Sequence, residues 1–339
     1  MSKKLDRIMW IDIARGIGII LVIIGHVSRN QELQNFIYSF HMPLFFMLSG
    51  FLYKHKENFV KNKFKRLMIP YFVFSMLCFI YWVIIERNIR AQYNVSAFNQ
   101  FINIFLCRGG EGNYIYNAAM WFLPCLFVTE IIFDFINSKL QNKSKIYLPI
   151  LMLCSSILGY WYPKLTTCRL PFCMDIIFIT IVFYYLGYII KFKEQYIREK
   201  VNNPIKIILS LILMTVAIIL SYIEKGMNLN NLIYNSYILL FVTAIIGVLG
   251  IYFISNVIRS KILNYISLNS LYIMCIHEPI KRVLIVIISK ITKISAEVIR
   301  NNIILIISVS IITLIVCLII IKVFRTTIEC LNKKRERIT

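Results

Sequence analysis

The chain has 339 residues, of which 59% are apolar and only 16% charged, and its mean hydropathy is +0.71. Soluble domains carry roughly 25% charged residues, so a string of water-soluble domains is excluded, and the abundance of apolar surface excludes a disordered chain. The formal charge of +22, from 38 Lys and Arg against 16 Asp and Glu, sits in short stretches between long apolar runs rather than on one solvated face. That distribution argues for membrane orientation and against nucleic-acid binding.

What remains is an all-α polytopic membrane bundle. A spanning helix needs about 20 mostly apolar residues, and ten stretches qualify: 8–28, 36–53, 67–86, 117–136, 146–162, 174–190, 205–224, 232–257, 264–288 and 303–324. With an inside N-terminus, twenty-five basic residues fall in inside segments, Lys3, Lys4 and Arg7 among them, and twelve in outside ones. The positive-inside tendency therefore predicts both termini in the cytoplasm. Segment 281–302 runs against it, with five basic residues outside, and is expected to form a snorkelling interfacial turn. With no long insertion and no internal repeat, residues 1–339 are expected to form one membrane domain. The first apolar run lacks a small-residue cleavage pattern and is expected to stay as an anchor.

That first helix, MWIDIARGIGIILVIIGHVSRN, holds Asp12, Arg15 and His26 at membrane depth. Arg15 and His26 are eleven residues apart, which returns to within roughly 20° of one face and rises about 16 Å. Asp12, three residues before Arg15, shares that face. Ionisable groups in a membrane are costly and mark function. The second helix, NFIYSFHMPLFFMLSGFLY, carries His41 at a depth comparable to His26. Its Pro43 is expected to kink the helix or open its start, and Ser49-Gly50 to permit close packing.

The basic loop KHKENFVKNKFKRLMIPYF then places Lys63 and Arg66 one turn apart at the start of helix three. Such a pair suits phosphates, and equally suits anionic lipid. Segment 94–107, NVSAFNQFINIFLC, is expected to lie along the outer surface. Trp121 opens helix four in MWFLPCLF, and Asp175 opens helix six in LPFCMDIIFITIVFYYLGY. Helix nine, NYISLNSLYIMCIHEPIKR, places Ser270 and His277 on one face, with Glu278-Pro279 next and His277 level with His26. Histidines, carboxylates and an aromatic at one level suggest an outward-facing polar cavity that holds a sugar; scattered interfacial residues are the plainer alternative. None of the nine cysteines forms a CxxC pair, so no metal site is expected. Cys168 and Cys173 are close enough in sequence to permit a disulfide without requiring one.

The first two helices, DIARGIGIILVIIGH and FHMPLFFMLSGFL, resemble membrane acyltransferase family 3, whose signature is a basic residue, ten arbitrary positions and a histidine. Arg15 and His26 match that spacing, and the resemblance extends to FKRLMIPYF, WFLPCLF, YYLGY and SLNSLYIMCIHEP. The chain is similar to the branch of fucose 4-O-acetylases and polysaccharide O-acetyltransferases. Where that family usually reads RxxR before helix three, Lys63 and Arg66 stand here. The resemblance implies a multi-pass bacterial plasma-membrane enzyme moving an acetyl group from cytoplasmic acetyl-CoA, without a metal, to a hydroxyl of a cell-surface or lipid-linked carbohydrate. His26 would be the general base, with Arg15 and Asp12 beside the acyl arm; an acyl-histidine relay, moving acetyl in two steps, is the competing mechanism. Lys63 and Arg66 would hold the donor's phosphates, while His41, Trp121, Asp175, His277 and Glu278 would orient the sugar. A homodimer is left open. The rival class is a secondary transporter or flippase for a glycan or lipid-linked intermediate, which predicts paired halves with broken helices.

Overall fold

In this computed structural model the described residues are 9–140 and 143–336. Lys3, Lys4, Arg7 and Arg337, counted above for orientation, and residue 8, the start of the first stretch, lie outside the described residues. The described residues are helical apart from loops and one isolated bridge between Asn228 and Ile233. In chain order the helices are α1 (Met9–Val27), α2 (Gln31–Phe51), α3 (Phe59–Ile89), α4 (Ala97–Leu106), α5 (Phe122–Leu140) and α6 (Tyr147–Leu165). They continue as α7 (Met174–Ile190), α8 (Glu194–Lys200), α9 (Asn203–Glu224), α10 (Tyr237–Val257), α11 (Lys261–Thr292), α12 (Ala296–Asn301) and α13 (Ile303–Glu336).

Each of the ten expected stretches is helical over most of its length. Among the described residues, seven helices are long and apolar enough to cross a membrane: α1, α3, α5, α7, α9, α10 and α13. The other three, α2, α6 and α11, contain the expected stretches but carry more polar residues. Peripheral helices show lipid-like faces. On α9 the outward stripe is Ile207, Ile208, Leu211, Ile212, Ile218 and Ile219, all exposed; a stripe of that size is stable against hydrocarbon rather than water. The short helix α4, capped by Ser96 accepting from Asn99 N at 3.2 Å, exposes Phe98, Phe101 and Phe105, as a surface-lying segment requires.

Helix α1 is the axis, packed against α2, α10, α11 and α13. Small residues set the closest crossings. A Cβ on Gly50 would lie 1.8 Å from Tyr184 O, and one on Gly187 1.9 Å from Met47 O, so α2 and α7 meet backbone to backbone through two reciprocal glycines. Gly16 does the same for α1 against α11, where a Cβ would lie 2.6 Å from Leu263 O. The close packing expected at Ser49-Gly50 is therefore present. Helix α2 begins at Gln31, its Asn30 cap accepting from Leu33 N at 2.9 Å, and continues through Pro43.

Two irregularities in helices face the functional region. Pro279 has no N–H, so inside α11 the carbonyl four residues earlier, that of Cys275, lacks its helical donor. Asn117 Nδ2 supplies a replacement at 2.6 Å. Helix α3 contains two π-helical turns, Phe64–Met68 and Trp82–Glu86. Such turns gather at functional sites because the extra residue re-aims side chains; the first contains Arg66 and the second delivers Glu86 into the interior. The eight described cysteines with described side chains are free thiols: Cys168 is exposed, and Cys173 is buried with its Sγ 3.1 Å from Cys107 O, so the permitted disulfide is not formed.

Candidate active site

The C-terminal end of α1 and the middle of α11 meet at the bottom of a cavity of about 830 Å³, into which His26, His41, Trp121 and Glu278 all project. Helix periodicity explains the meeting: Glu278, Lys281 and Arg282 share a face at i, i+3 and i+4, and that face looks at the last turn of α1. His26 Nδ1 donates to Glu278 Oε1 in a very short contact. The carboxylate thereby fixes the imidazole tautomer and leaves the lone pair on Nε2 as the basic atom. Glu278 is 2% exposed and also holds two cations, Lys281 Nζ at 2.7 Å and Arg282 Nη2 at 3.0 Å. Burying a carboxylate requires such partners. Arg282 bridges onward to Glu86 at 2.9 Å, and Arg90 joins Glu86 from the other side at 2.9 Å.

His277 is fully buried, with its ring centroid 5.1 Å from that of His26. Its Nδ1 donates to Ile273 O at 2.9 Å, and its Nε2 is a buried acceptor without a hydrogen-bond partner among the described residues. His41 is held the same way, Nδ1 donating to Ile37 O at 2.8 Å, with the Tyr38 ring beside it at 5.1 Å. Ring nitrogens of His26 and His277 and an oxygen of Glu278 lie within 4.8 Å of one another, a spacing that can bracket a metal ion. The donor set fits one poorly. The ammonium of Lys281 and the guanidinium of Arg282 already occupy Glu278 and would repel a dication. The same geometry fits a base with its orienting carboxylate.

The remaining expected site residues are distributed as follows. Trp121 lines the cavity from a 3₁₀ turn, Ala118–Trp121, ahead of α5. Asp175 is completely buried behind the wall, locked in a very short ion pair to Arg169. Arg169 in turn props Gly110, a lining residue at φ +101° where a Cβ would sit 2.2 Å from Nη1. Asp175 therefore shapes the cavity without facing it. Asp12 and Arg15 form a pair at 3.8 Å, and Ser267 Oγ donates to Asp12 at 3.1 Å. Arg15 does not line the cavity. Between it and His26 the stripe is closed by Gly18, Ile19 and Val22, all buried against neighbours that include Leu44 and Phe45.

Lys63 and Arg66 lie toward the opposite end of the bundle. Lys63 Nζ is paired with buried Glu130 at 2.6 Å. Beside them Lys56, Lys61 and Lys65 line an open hollow of about 810 Å³, floored by His55 and Asp134, which join at 2.8 Å.

Sequence reasoning missed Lys281, Arg282, Glu86, Arg90, Arg29 and Arg300 at the His26 end. A signal for three of them existed. Lys281, Arg282 and Arg300 belong to the five basic residues that spoil the inside–outside charge count, and all three line the cavity.

Neither the curated proteins nor the solved structures searched contain a match to the chain. The model of the Acyltransferase domain of acyltransferase family 3 matches residues 8–322, a range that includes His26, the α3 irregularities and the whole Glu278–Arg282 face. The chain is a multi-pass membrane protein of that family, a membrane acyltransferase.

Proposed function

We propose that this acyltransferase moves an acetyl group from acetyl-CoA, presented on the cytoplasmic side, to a hydroxyl of a carbohydrate on the outer side of a bacterial plasma membrane. In this reading ten helices cross the bilayer as one domain, both termini are cytoplasmic, and the His26 cavity opens outward. The observation that carries it is His26 itself: one ring nitrogen is fixed by Glu278, and the ring lines a roomy polar cavity in a chain of this family.

The chemistry follows from that geometry. His26 Nε2 takes the proton of the acceptor hydroxyl as its oxygen attacks the thioester carbonyl, then returns it to the departing thiolate. A positioned base of this kind contributes roughly 10²–10⁴ in rate. Glu278 keeps Nδ1 protonated throughout and stabilises the imidazolium. His41 and Trp121 offer a polar and an aromatic wall against which a sugar ring can be oriented, while His277 is buried against the His26 ring and does not line the cavity. At the other end the lysine-lined hollow beside Lys63 and Arg66 suits the donor's phosphates.

Purified protein with radiolabelled acetyl-CoA and candidate oligosaccharides tests the reading. The expected result is acceptor-dependent release of free thiol with label on the glycan. Thiol release that never depends on any glycan, or label that stays in CoA throughout, removes it.

A further inference from the structure

The cavity at His26 has more positive charge than its carboxylates balance. Its walls carry Arg29, Arg90, Lys281, Arg282 and Arg300. Glu278 and Glu86 hold Lys281, Arg282 and Arg90 in the ion pairs above, and Glu111 on the lining makes three carboxylates against these five cations. Among the described residues, Arg29 and Arg300 have no carboxylate partner. Arg300 spends its donors on main-chain carbonyls, Nε to Val27 O at 3.0 Å and Nη2 to His26 O at 3.5 Å. Arg29 stands beside it because its own N–H donates to Arg300 O at 2.7 Å. Burial and the neighbouring Arg29 pull the Arg300 pKa below the ordinary guanidinium value, outweighing the opposite pull of Glu278.

Resting on the acyl-transfer reading, we infer that the acceptor is an anionic carbohydrate, whose carboxylate or phosphate is bound by Arg29 and Arg300 next to the hydroxyl that His26 deprotonates. Three features point the same way. The pair is joined at the main chain, since Arg29 N–H donates to Arg300 O. It borders the base, since Arg300 Nη2 donates to the carbonyl of His26 itself. Neither guanidinium is in an ion pair among the described residues, and guanidinium forks complement both carboxylate and phosphate oxygens. The opposite wall is amide-rich and carries one carboxylate, Glu111: Asn230 Oδ1 accepts from Gly110 N at 2.8 Å and Asn231 Oδ1 from Glu111 N at 2.8 Å. This wall suits sugar hydroxyls, so one side selects charge and the other accommodates the ring.

The test uses the full-length protein in phosphatidylcholine nanodiscs, where lipid headgroups carry no net charge. Three matched acceptors are compared: a neutral oligosaccharide, the same oligosaccharide with one uronic acid, and the same sugar carried on a polyprenyl diphosphate. Binding is read by equilibrium dialysis without donor, and transfer separately with labelled acetyl-CoA. The expected result is at least a tenfold preference for one charged acceptor over the neutral one. The preferred form identifies carboxylate or phosphate as the source. Arg29→Gln, an exposed position, and Arg300→Lys, which keeps a charge but loses the fork, should each reduce that preference several-fold, chiefly through acceptor KM. Equal binding of all three acceptors, or a preference that survives in both variants, overturns the inference. Binding of phosphatidylglycerol that depends on Arg29 and Arg300, with neutral and charged acceptors equal, assigns the pair to lipid and also overturns it. Charge-selective binding without transfer of label would uphold the inference and defeat the acyl-transfer reading; transfer to neutral acceptors alone would do the reverse.

Discussion

At the scale of single residues, the arrangement turns on which nitrogen of His26 is available. The Glu278 contact leaves Nε2 free, so His26→Ala removes the base and little else: the side chain is part-buried and its one described side-chain hydrogen-bond partner is Glu278. Turnover should fall by roughly 10²–10⁴ with thermal unfolding almost unchanged. Undiminished turnover in that variant would exclude His26 as the base. Glu278→Gln acts differently. The amide keeps the shape but strands Lys281 and Arg282 beside a neutral group, and breaking a buried ion pair costs about 3–5 kcal/mol. Both melting temperature and turnover should drop. Full turnover in a folded Glu278→Gln protein would mean that His26 needs no carboxylate to orient it. The charges around Glu278 also show what residue reading can and cannot reach. His26, His277 and Glu278 stand out because histidines and acids are rare at membrane depth. Lys281 and Arg282 are masked because basic residues at a helix–loop border have an ordinary explanation in lipid headgroups.

At the scale of elements, the site depends on helices that deviate from regularity. Pro279 frees the Cys275 carbonyl one residue after Glu278, and Asn117 captures it at 2.6 Å. Replacing that buried partner leaves the carbonyl unsatisfied, which costs about 1–3 kcal/mol. Asn117→Ala should therefore lower the melting temperature by several degrees and disturb the site, since the same bond ties the turn bearing Trp121 to α11. A variant with unchanged melting would show that water or regular helix replaces the amide. Asn117 was not legible from its sequence context, because its partner lies 158 residues away. The helices themselves were legible, since apolar runs of spanning length are a strong local signal. The basic loop makes a similar point. Lys63 and Arg66 stand where the resembled family usually has RxxR, yet Lys63 is committed to Glu130 at 2.6 Å, and only the fold brings that acid across from α5. Lys63→Ala should thus cost stability as well as donor affinity. Lys61→Gln with Lys65→Gln, both exposed in the adjoining hollow, should raise the KM for acetyl-CoA several-fold with stability and acceptor KM unchanged. An acetyl-CoA KM that stays constant in the double variant would move the donor's phosphates elsewhere.

For the molecule as a whole, the two candidate binding regions lie at opposite ends of the bundle, and the stripe joining them is closed. Asp12 and Arg15 sit toward one end of α1 and His26 at the other, with buried Gly18, Ile19 and Val22 between. A donor entering by the lysine-lined end must therefore part α1 from α2 along this seam. At Gly18 the seam is closed by side-chain ends, since the first atoms beyond an added Cβ would be Phe45 Cζ at 3.0 Å and Leu44 Cδ2 at 3.1 Å. Side-chain rotation can open such a contact, whereas the backbone-to-backbone crossing at Gly50 and Gly187 cannot yield in the same way. Sealed proteoliposomes distinguish transfer through this seam from chemistry on one face. Acetyl-CoA is supplied on one side only, with acceptor enclosed on the other, and the orientation of the protein is scored by protease access to the 52–58 loop. Label should reach the acceptor only from molecules whose loop faces the donor, and Gly18→Val should slow this transfer at saturating concentrations of both substrates. If acceptor and donor react only when placed on the same side, the seam carries nothing, and the two ends of the bundle do not belong to one reaction.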